Sequence, residues 1–577
     1  MFILGLNAFH GDSSACIMKD GEILVAIEEE RIRRIKHWAG FPIEAIKYCL
    51  KDLGLSISEI DYITISRDPS INKLNKIKHA LFNTISLTTI KDRFLNARKV
   101  NSIKATLANG LGVHEDVIRA EIHNIEHHRS HLASAFFASG FKESAILSID
   151  GFGDFTSTMT SIGRNGQMEV IDSVLFPHSL GLFYTAFTQF LGFPHYGDEY
   201  KIMGLAPYGS NDFSKELDEV IKLTDNGLFE LNLSYFTHHK NGVKMSWENG
   251  APEIGSVYSH RMIEIFGIPR KANEELTQQH KNLATSIQKK TEQVILHILN
   301  HLQKSTGLTS ICIAGGVAQN SVANGKILSK TKFTSIYVPP AGHDAGTCIG
   351  SAMFLYHQIL KNPVKKPMAS GALGSKFSDD EIEYYLNSVK ANFKLLPENE
   401  VDELVVSCIS DGGVVGWFQG RAEFGPRALG HRSILADPRR ADAKEILNLK
   451  IKRRESFRPF APSILKEFVN EYFIDADSVP FMEKVYPIRL EMQAKIPAVT
   501  HIDGTGRLQT VDRNTEPRYH QLISTFYEKT GVPVLLNTSF NENEPIVNSP
   551  EDAWKCFDRT KMDLLVIGNY VIDRKNY

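Results

Sequence analysis

The feature that most constrains this chain is where its apolar runs stop. "AILSID", "SICIA" and "SIYVPP" are β-rich, and each gives way to glycine: "GFGD" after Asp150, the pair Gly315–Gly316, and "AGHDAG" around Asp344. A second strand or a helix follows each turn. Strands alternating with helices through glycine turns imply an α/β fold. A strand-end carboxylate beside glycine, as at Asp150 and Asp344, is a common site position in such folds, because glycine lets a ligand approach the backbone.

The rest of the chain fits that grammar. "MFILGLNA" and "GEILVAIEEE" are expected to pair as a hairpin across the polar stretch "HGDSSACIMKDG". A helix is expected from about Pro42 to Leu53, then a strand at "DYITISR", and helix across 80–110. At 577 residues the chain holds more than one domain. The Pro-, Gly-, Ser- and Lys-rich stretch before Asp380 marks the boundary: a first domain over 1–362, a linker over 363–380 and a second domain over 381–577. Beyond it come a helix at 380–391 and a strand at "GGVVGWFQG".

Charge and cysteine content exclude several classes. The formal net charge is −2, so no global basic field holds nucleic acid. No apolar run is long enough to span a membrane. The N-terminus lacks a basic region and reads as a first strand rather than a signal peptide. The six cysteines are scattered without a C-x-x-C pair, which argues against a disulfide framework or a thiolate zinc site and points to a reducing cytosol.

"IEHHRSHLASAFFA" is a helix that starts polar and ends apolar. His127 and His131, four residues apart, project from one helical face and can chelate one divalent metal. A bare H-x-x-x-H is as often only a polar first turn. Asp150 and Asp344 tip the balance, since two His and two Asp suit iron, manganese or zinc and leave positions open for a substrate oxygen. His128 is expected behind the ligands or facing the substrate.

The second half carries a basic cluster, "GRAEFGPRALGHRSILADPR" and "KIKRRESFRPFAPSIL". Its cations interleave with Phe424, Leu429, Ile434, Phe457 and Phe460, which read as buried. Buried cations need anions, and a phosphate or carboxylate ligand is the simplest partner. Arg507 reads as lying in a glycine turn and Asn537 as just past an apolar strand. The loops "IDGFGD" and "IAGGVAQN" could cradle phosphates, but neither matches a P-loop or a G-x-G-x-x-G fingerprint. Two strand–glycine–strand hairpins with a later Gly-Gly turn resemble the ATP site of the actin/hexokinase-type fold. Lys201 could reach a phosphate or be solvated.

At this point the residues resemble a known family, the O-carbamoyltransferases of the NodU/CmcH group. The resemblance is carried by "EEERIRRIKHWAGFP", "HHRSHLASAFFAS", "DGFGD", "KIMGLAPYG", "AGGVAQNSVANGKI", "GRAEFGPRALGHRSILADPR", "KRRESFRPFAPSIL" and "LLNTSFNENEPIV". It implies an actin/hexokinase-like (ASKHA, threonylcarbamoyl-transferase-like) first domain and a YrdC-like α/β second domain. The second would make carbamoyl-adenylate from carbamoyl phosphate and Mg-ATP. The first would pass the carbamoyl group to a small-molecule hydroxyl at a metal, with iron favoured over zinc or manganese. Metal ligands carry over to His127, His131, Asp150 and Asp344. Carbamoyl phosphate contacts carry over to Arg427, Lys452, Arg458, Arg507 and Asn537. Nucleotide contacts carry over to Lys36, Gly151, Gly153, Lys201, Gly315, Gly316 and Asn320. His343 stands where many relatives have an aspartate; it is expected to add a metal contact or line the pocket. Asp12 and His10, in the loop after the first strand, are candidates for the base that activates the acceptor. The reading takes ATP, carbamoyl phosphate and a small hydroxyl acceptor as partners, with no nucleic acid or membrane, and leaves a homodimer open. Two alternatives are weaker. The neutral charge argues against tRNA threonylcarbamoylation. An ASKHA-fold ATPase or kinase without carbamoyl transfer leaves the basic cluster and the histidine helix without a job.

Overall fold

The computed structural model describes residues 1–76, 103–243, 245–246, 250, 252–364, 366–452, 455 and 457–576. The helix expected over 80–110 is seen as Ile103–Leu111; its 80–102 part lies outside the described residues. The chain divides into two compact units, Met1–Met368 and Ala369–Tyr577, and both are α/β.

The first unit carries two five-stranded sheets built to one plan. In the first, β1 (Phe2–Asn7) is central. It pairs antiparallel with β2 (Ser14–Lys19), which pairs with β3 (Glu22–Glu28); on its other side lie β4 (Tyr62–Ile65) and β5 (Glu121–Asn124), both parallel to it. The expected hairpin is therefore a three-stranded meander. The stretch read as a polar turn contains β2, "SACIMK", whose Ala15 to Met18 are fully buried. Three small or polar residues in a row hid a strand that the apolar β1 and β3 flank on both sides.

The second sheet repeats the plan. β6 (Glu143–Gly153) pairs with β7 (Thr156–Arg164), and β7 with β8 (Gln167–Leu175). On the other side of β6 lie the parallel β9 (Ser310–Ala314) and β10 (Ser335–Tyr337). The β6–β7 register slips between Ile149 and Gly153. Asp150 therefore lies inside β6, at an irregularity, rather than at the strand's last residue. Such bulges re-aim side chains beside functional sites.

The helix His127–Ser139 is buried nearly all round, from His127 to Ala138, so it shows no amphipathic face. Gly140, at φ 76°, ends it in the left-handed conformation, the usual place for a glycine cap.

The second unit is built on one mixed nine-stranded sheet. In chain order its strands are β11 (Lys394–Leu395), β12 (Val415–Phe418), β13 (Arg432–Ala436), β14 (Ala461–Leu465), β15 (Lys484–Pro487), β16 (Thr505–Val511), β17 (Val534–Ser539), β18 (Leu564–Ile567) and β19 (Tyr570–Asp573). In space the order is β11-β19-β18-β12-β13-β17-β14-β16-β15. Trp417, Ile434, Val534 and Leu565 are fully buried in its core. The helix expected at 380–391 is Asp379–Ser388, started by a capping box between Ser378 and Glu381. Arg507 lies within β16 and Asn537 within β17, not in a turn or past a strand end. Residues 503–504 supply the turn, and β16 starts one residue after Gly504.

Candidate metal centre

One helical turn brings His127 and His131 together, and the irregularity within β6 and the turn following β10 bring two carboxylates to them. His127 Nε2 and His131 Nε2 are 3.1 Å apart. Both face Asp150 Oδ2, at 3.3 and 3.1 Å, and both stand 3.4 Å from Asp344 Oδ1. Metal–ligand bonds of about 2.1 Å place neighbouring ligand atoms about 3.0–3.4 Å apart in octahedral or tetrahedral sites. The histidine–histidine and histidine–carboxylate pairs have those spacings, and all four residues offer ligand atoms within 4.8 Å of one another. All four residues are buried. The donor set of two imidazoles and two carboxylates fits a borderline divalent metal.

Charge pairing links the four groups. Burial disfavours the His127 imidazolium, but Asp150 and Asp344 outweigh it and hold the ring up at about 10. Burial also pushes both carboxyls up. The facing histidines reverse this for Asp150, and His10 with the same histidines reverses it for Asp344, so both stay below the usual carboxylate range.

Two of the glycines expected to contact a nucleotide hold Asp150. Gly151 and Gly316 donate their backbone N–H groups to Asp150 Oδ1, at 2.7 and 3.1 Å. Those amides are committed, which leaves Oδ2 aimed at the histidines. Gly315 sits at φ 102°, and a Cβ there would meet the Ile149 carbonyl. Gly153 makes room for the His127 ring. Asn320 caps the helix Ser321–Lys330 and exchanges side-chain hydrogen bonds with Gln288. Lys201 lies on the helix Glu199–Leu205 and pairs with Asp198 at 2.9 Å. Lys36 is exposed.

His128 is neither a ligand nor turned to substrate. Its Nδ1 meets Ser148 Oγ at 2.7 Å and its Nε2 the Thr156 carbonyl at 3.0 Å. Burial, with the charges on His127 and His131, pushes it down to about 3. His10 Nδ1 lies 2.5 Å from Asp344 Oδ2, and its Nε2 3.3 Å from the Phe152 carbonyl. Asp12 Oδ1 meets His37 Nδ1 at 2.7 Å. His343 Nε2 is 4.0 Å from Asp12 Oδ2, so it faces Asp12 rather than the four ligands. The sequence reading passed over His37, although it directly follows Lys36 in a quoted segment. Its signal, a lone histidine beside a lysine, is too common to single out.

The basic cluster of the second unit needs a different account. The sequence argument expected a ligand anion for its buried cations. The structure satisfies two of them with protein oxygens. Arg432, fully buried, donates to the carbonyls of Gln419, His431, Ser375 and Gly420 and stacks on Phe418. Lys452, 1% exposed, is ringed by Ser539 O at 2.6 Å, Asn541 O at 2.8 Å, Asn541 Oδ1 at 2.7 Å and Ser539 Oγ at 3.2 Å. An ammonium has three donors, and these four protein oxygens surround the one at Lys452. Backbone carbonyls carry enough negative charge to hold a cation, and the sequence argument omitted them. Asn537 donates toward Ser463 Oγ and Gln509 Oε1, both at 3.1 Å, and the Ala428 carbonyl at 3.3 Å, while its Oδ1 is buried with no partner among the described residues. Arg507 is two residues from Gln509 on the regular strand β16, hence on the same sheet face. Arg427 and Arg458 are half-buried nearby in sequence. Glu423, which the sequence reading left unremarked, gathers the loop: its Oε1 accepts the amides of Leu429, His431 and Arg432 at 2.6–3.1 Å.

The family model described as "Carbamoyltransferase N-terminus" matches residues 2–353, and "Carbamoyltransferase C-terminus" matches 406–574. The chain belongs to the carbamoyltransferase family. An uncharacterized protein of Synechocystis is 41% identical over 99% of the chain and 96% of its own length. Nodulation protein NolNO of Sinorhizobium fredii is 39% identical over 99% of the chain and 80% of its own. Among solved structures, HypF of T. kodakarensis aligns at TM-score 0.29 and 13% identity, over 62% of this chain and 47% of that one, too low to carry an argument about fold. This carbamoyltransferase is thus an enzyme that transfers carbamoyl groups, which removes the reading as an ATPase or kinase without transfer. Among the described residues no helix of the carbamoyltransferase is long and apolar enough to cross a membrane, and none of the six cysteines forms a disulfide.

Proposed function

We propose that this carbamoyltransferase is an ATP-dependent O-carbamoyltransferase working in two steps, in the cytosol. In the second unit, taken as YrdC-like, water releases orthophosphate from carbamoyl phosphate, and the carbamate left attacks the α-phosphate of Mg-ATP to give carbamoyl-adenylate and pyrophosphate. In the first unit, taken as ASKHA-like because its two sheets share one plan, the carbamoyl group passes to a hydroxyl of a small molecule and AMP leaves. The observation that carries this reading is the convergence of His127, His131, Asp150 and Asp344 in a chain of this family.

Those four residues would hold one divalent metal, iron first, and a metal there would supply Lewis-acid stabilisation of negative charge. The protein's own part is positioning. The amides of Gly151 and Gly316 fix Asp150, and His10 fixes Asp344. In the second unit, Arg427, Arg458 and Arg507 would meet carbamoyl phosphate and the triphosphate, where negative charge crowds during adenylation.

The test is to incubate the enzyme with ATP, carbamoyl phosphate and a panel of hydroxylated metabolites. Mass spectrometry should find one carbamoyl group added to one of them, with AMP and pyrophosphate as co-products. Release of ADP instead would sink the reading.

A further inference from the structure

We propose that His37 and Asp12 form the proton-accepting pair for the acceptor hydroxyl, His37 Nε2 taking the proton and Asp12 orienting the ring. This rests on the carbamoyl-transfer reading above.

The geometry is that of a catalytic base with its orienting carboxylate. Asp12 Oδ1 lies 2.7 Å from His37 Nδ1. That bond puts a proton on Nδ1 and leaves Nε2 as the basic nitrogen. Gly197 packs against the Nε2 edge of the ring, where a Cβ would sit 2.4 Å from that nitrogen, and the His37 side chain keeps 32% of its surface exposed.

Both partners are built into strained, well-braced backbone. Asp12 sits at φ 55° and His37 at φ 56°, in the left-handed region, although neither is glycine. The two loops that carry them are tied together. Ser13 N donates to the Trp38 carbonyl at 2.8 Å, Ser13 Oγ to the Gly40 carbonyl at 2.7 Å, and Phe9 N to the same carbonyl at 3.1 Å. His37 N donates to Glu30 Oε2 at 2.7 Å, and Asn7 Nδ2 to the Asp12 carbonyl at 3.0 Å. Strain that the surroundings over-determine in this way is typical of active sites.

The pair lies next to the four ligands. His343 stands 4.0 Å from Asp12 Oδ2, and the next residue is Asp344. The Tyr196 ring lies edge-on to His37 at 5.2 Å. Burial and the nearby charges of Asp12, Asp344 and Asp150 push the Tyr196 hydroxyl well above its ordinary range, so it sits among both groups. Asp12, Glu30 and His37 also bring ligand atoms within 4.8 Å of one another. Asp12 Oδ1 and Glu30 Oε2 are already engaged by His37 Nδ1 and by its backbone N–H, which favours the proton-accepting pair over a second metal.

The step balances. The acceptor oxygen bonds to the carbamoyl carbon, the bond from that carbon to the adenylate phosphate oxygen breaks, and AMP leaves with the electron pair. The hydroxyl proton goes to His37 Nε2 and then to solvent. His37 must therefore start neutral. The groups facing it are Asp12, Glu30, Lys36, Tyr196 and, further off, Glu199 and His343. Burial works against its charge, but Asp12 and then Glu30 outweigh it and raise the ring to about 9.

The test uses the full chain with ATP, carbamoyl phosphate and two probes. Methanol at molar concentration needs its hydroxyl activated and gives methyl carbamate. Hydroxylamine attacks carbamoyl-adenylate unaided and gives N-hydroxyurea, so the N-hydroxyurea formed above an ATP-free control, which counts what carbamoyl phosphate gives by itself, reports that the adenylate is made. We expect His37→Gln to lower methyl carbamate formation about 100-fold, with N-hydroxyurea within a few-fold of wild type. The wild-type rate with methanol should climb with pH toward 9, and Asp12→Asn should move that limb to lower pH. Unchanged methyl carbamate formation in His37→Gln, a wild type that makes N-hydroxyurea but no methyl carbamate, or an Asp12→Asn limb that does not move would each overturn the pairing. A wild type that makes neither product nor pyrophosphate would instead refute the carbamoyl-transfer reading beneath it.

Discussion

Gly153 stands so close to His127 that a Cβ at 153 would lie 2.1 Å from the ring's Cδ2. The glycine predicted to touch a nucleotide thus seats a histidine of the candidate centre. Gly153→Ala should push the ring of His127 off its position. Overpacking of this kind costs about 1–3 kcal/mol, so the variant should remain folded. Its bound metal should fall by an order of magnitude or more. Elemental analysis of the purified variant, alongside its melting curve, checks both halves.

His131→Ala removes one donor outright. The variant should retain less than about a tenth of the wild-type metal content and lose carbamoyl transfer to the same degree, while pyrophosphate release from ATP and carbamoyl phosphate continues. Full transfer activity in a metal-free His131→Ala protein would remove the metal from the mechanism.

Lys452 separates a structural from a ligand-binding cation. Lys452→Met would strand the carbonyls of Ser539 and Asn541, at about 2–4 kcal/mol. Denaturant unfolding should show that loss without any added ligand. If Lys452 gripped carbamoyl phosphate, the same variant would melt normally and show a raised KM for carbamoyl phosphate alone.

The Asp12–His37 pair gives stability a pH signature. His37 is raised from 6.5 to about 9, so its contribution is complete below pH 6.5 and fades as pH rises through 9. Asp12 is lowered from 3.8, because His37 outweighs its burial. Its contribution is present above pH 3.8 and fades as pH falls through the lower folded value. The melting-temperature gap between wild type and Asp12→Asn should be widest at about pH 5–6 and clearly narrower above about pH 9. A gap that stays constant across that range would contradict it.

Much of the site was readable because it is local. His127 and His131 are one helical turn apart, and the cap at Gly140 fixes that helix's end. The apolar runs before Asp150 and Asp344 mark them as members of strand–turn units. What was misread depended on neighbours distant in sequence. The "SACIMK" strand is flanked by two more apolar runs, and only their pairing shows that it is a strand. The amides of Gly151 and Gly316 belong to Asp150, and Gly316 is 166 residues away from it.

The sequence by itself determined the α/β class, the histidine helix and the four candidate metal ligands, because periodicity, caps and residue chemistry act over a few residues. Only the tertiary structure decided which cations are already satisfied and which groups pair. Arg432 and Lys452 are neutralised by carbonyls, and a carbonyl belongs to every residue, so no sequence pattern marks the ones that will converge. The Asp12–His37 pair likewise arises because two loops are tied together through Ser13, Trp38 and Gly40, a closeness that exists only once the chain has folded.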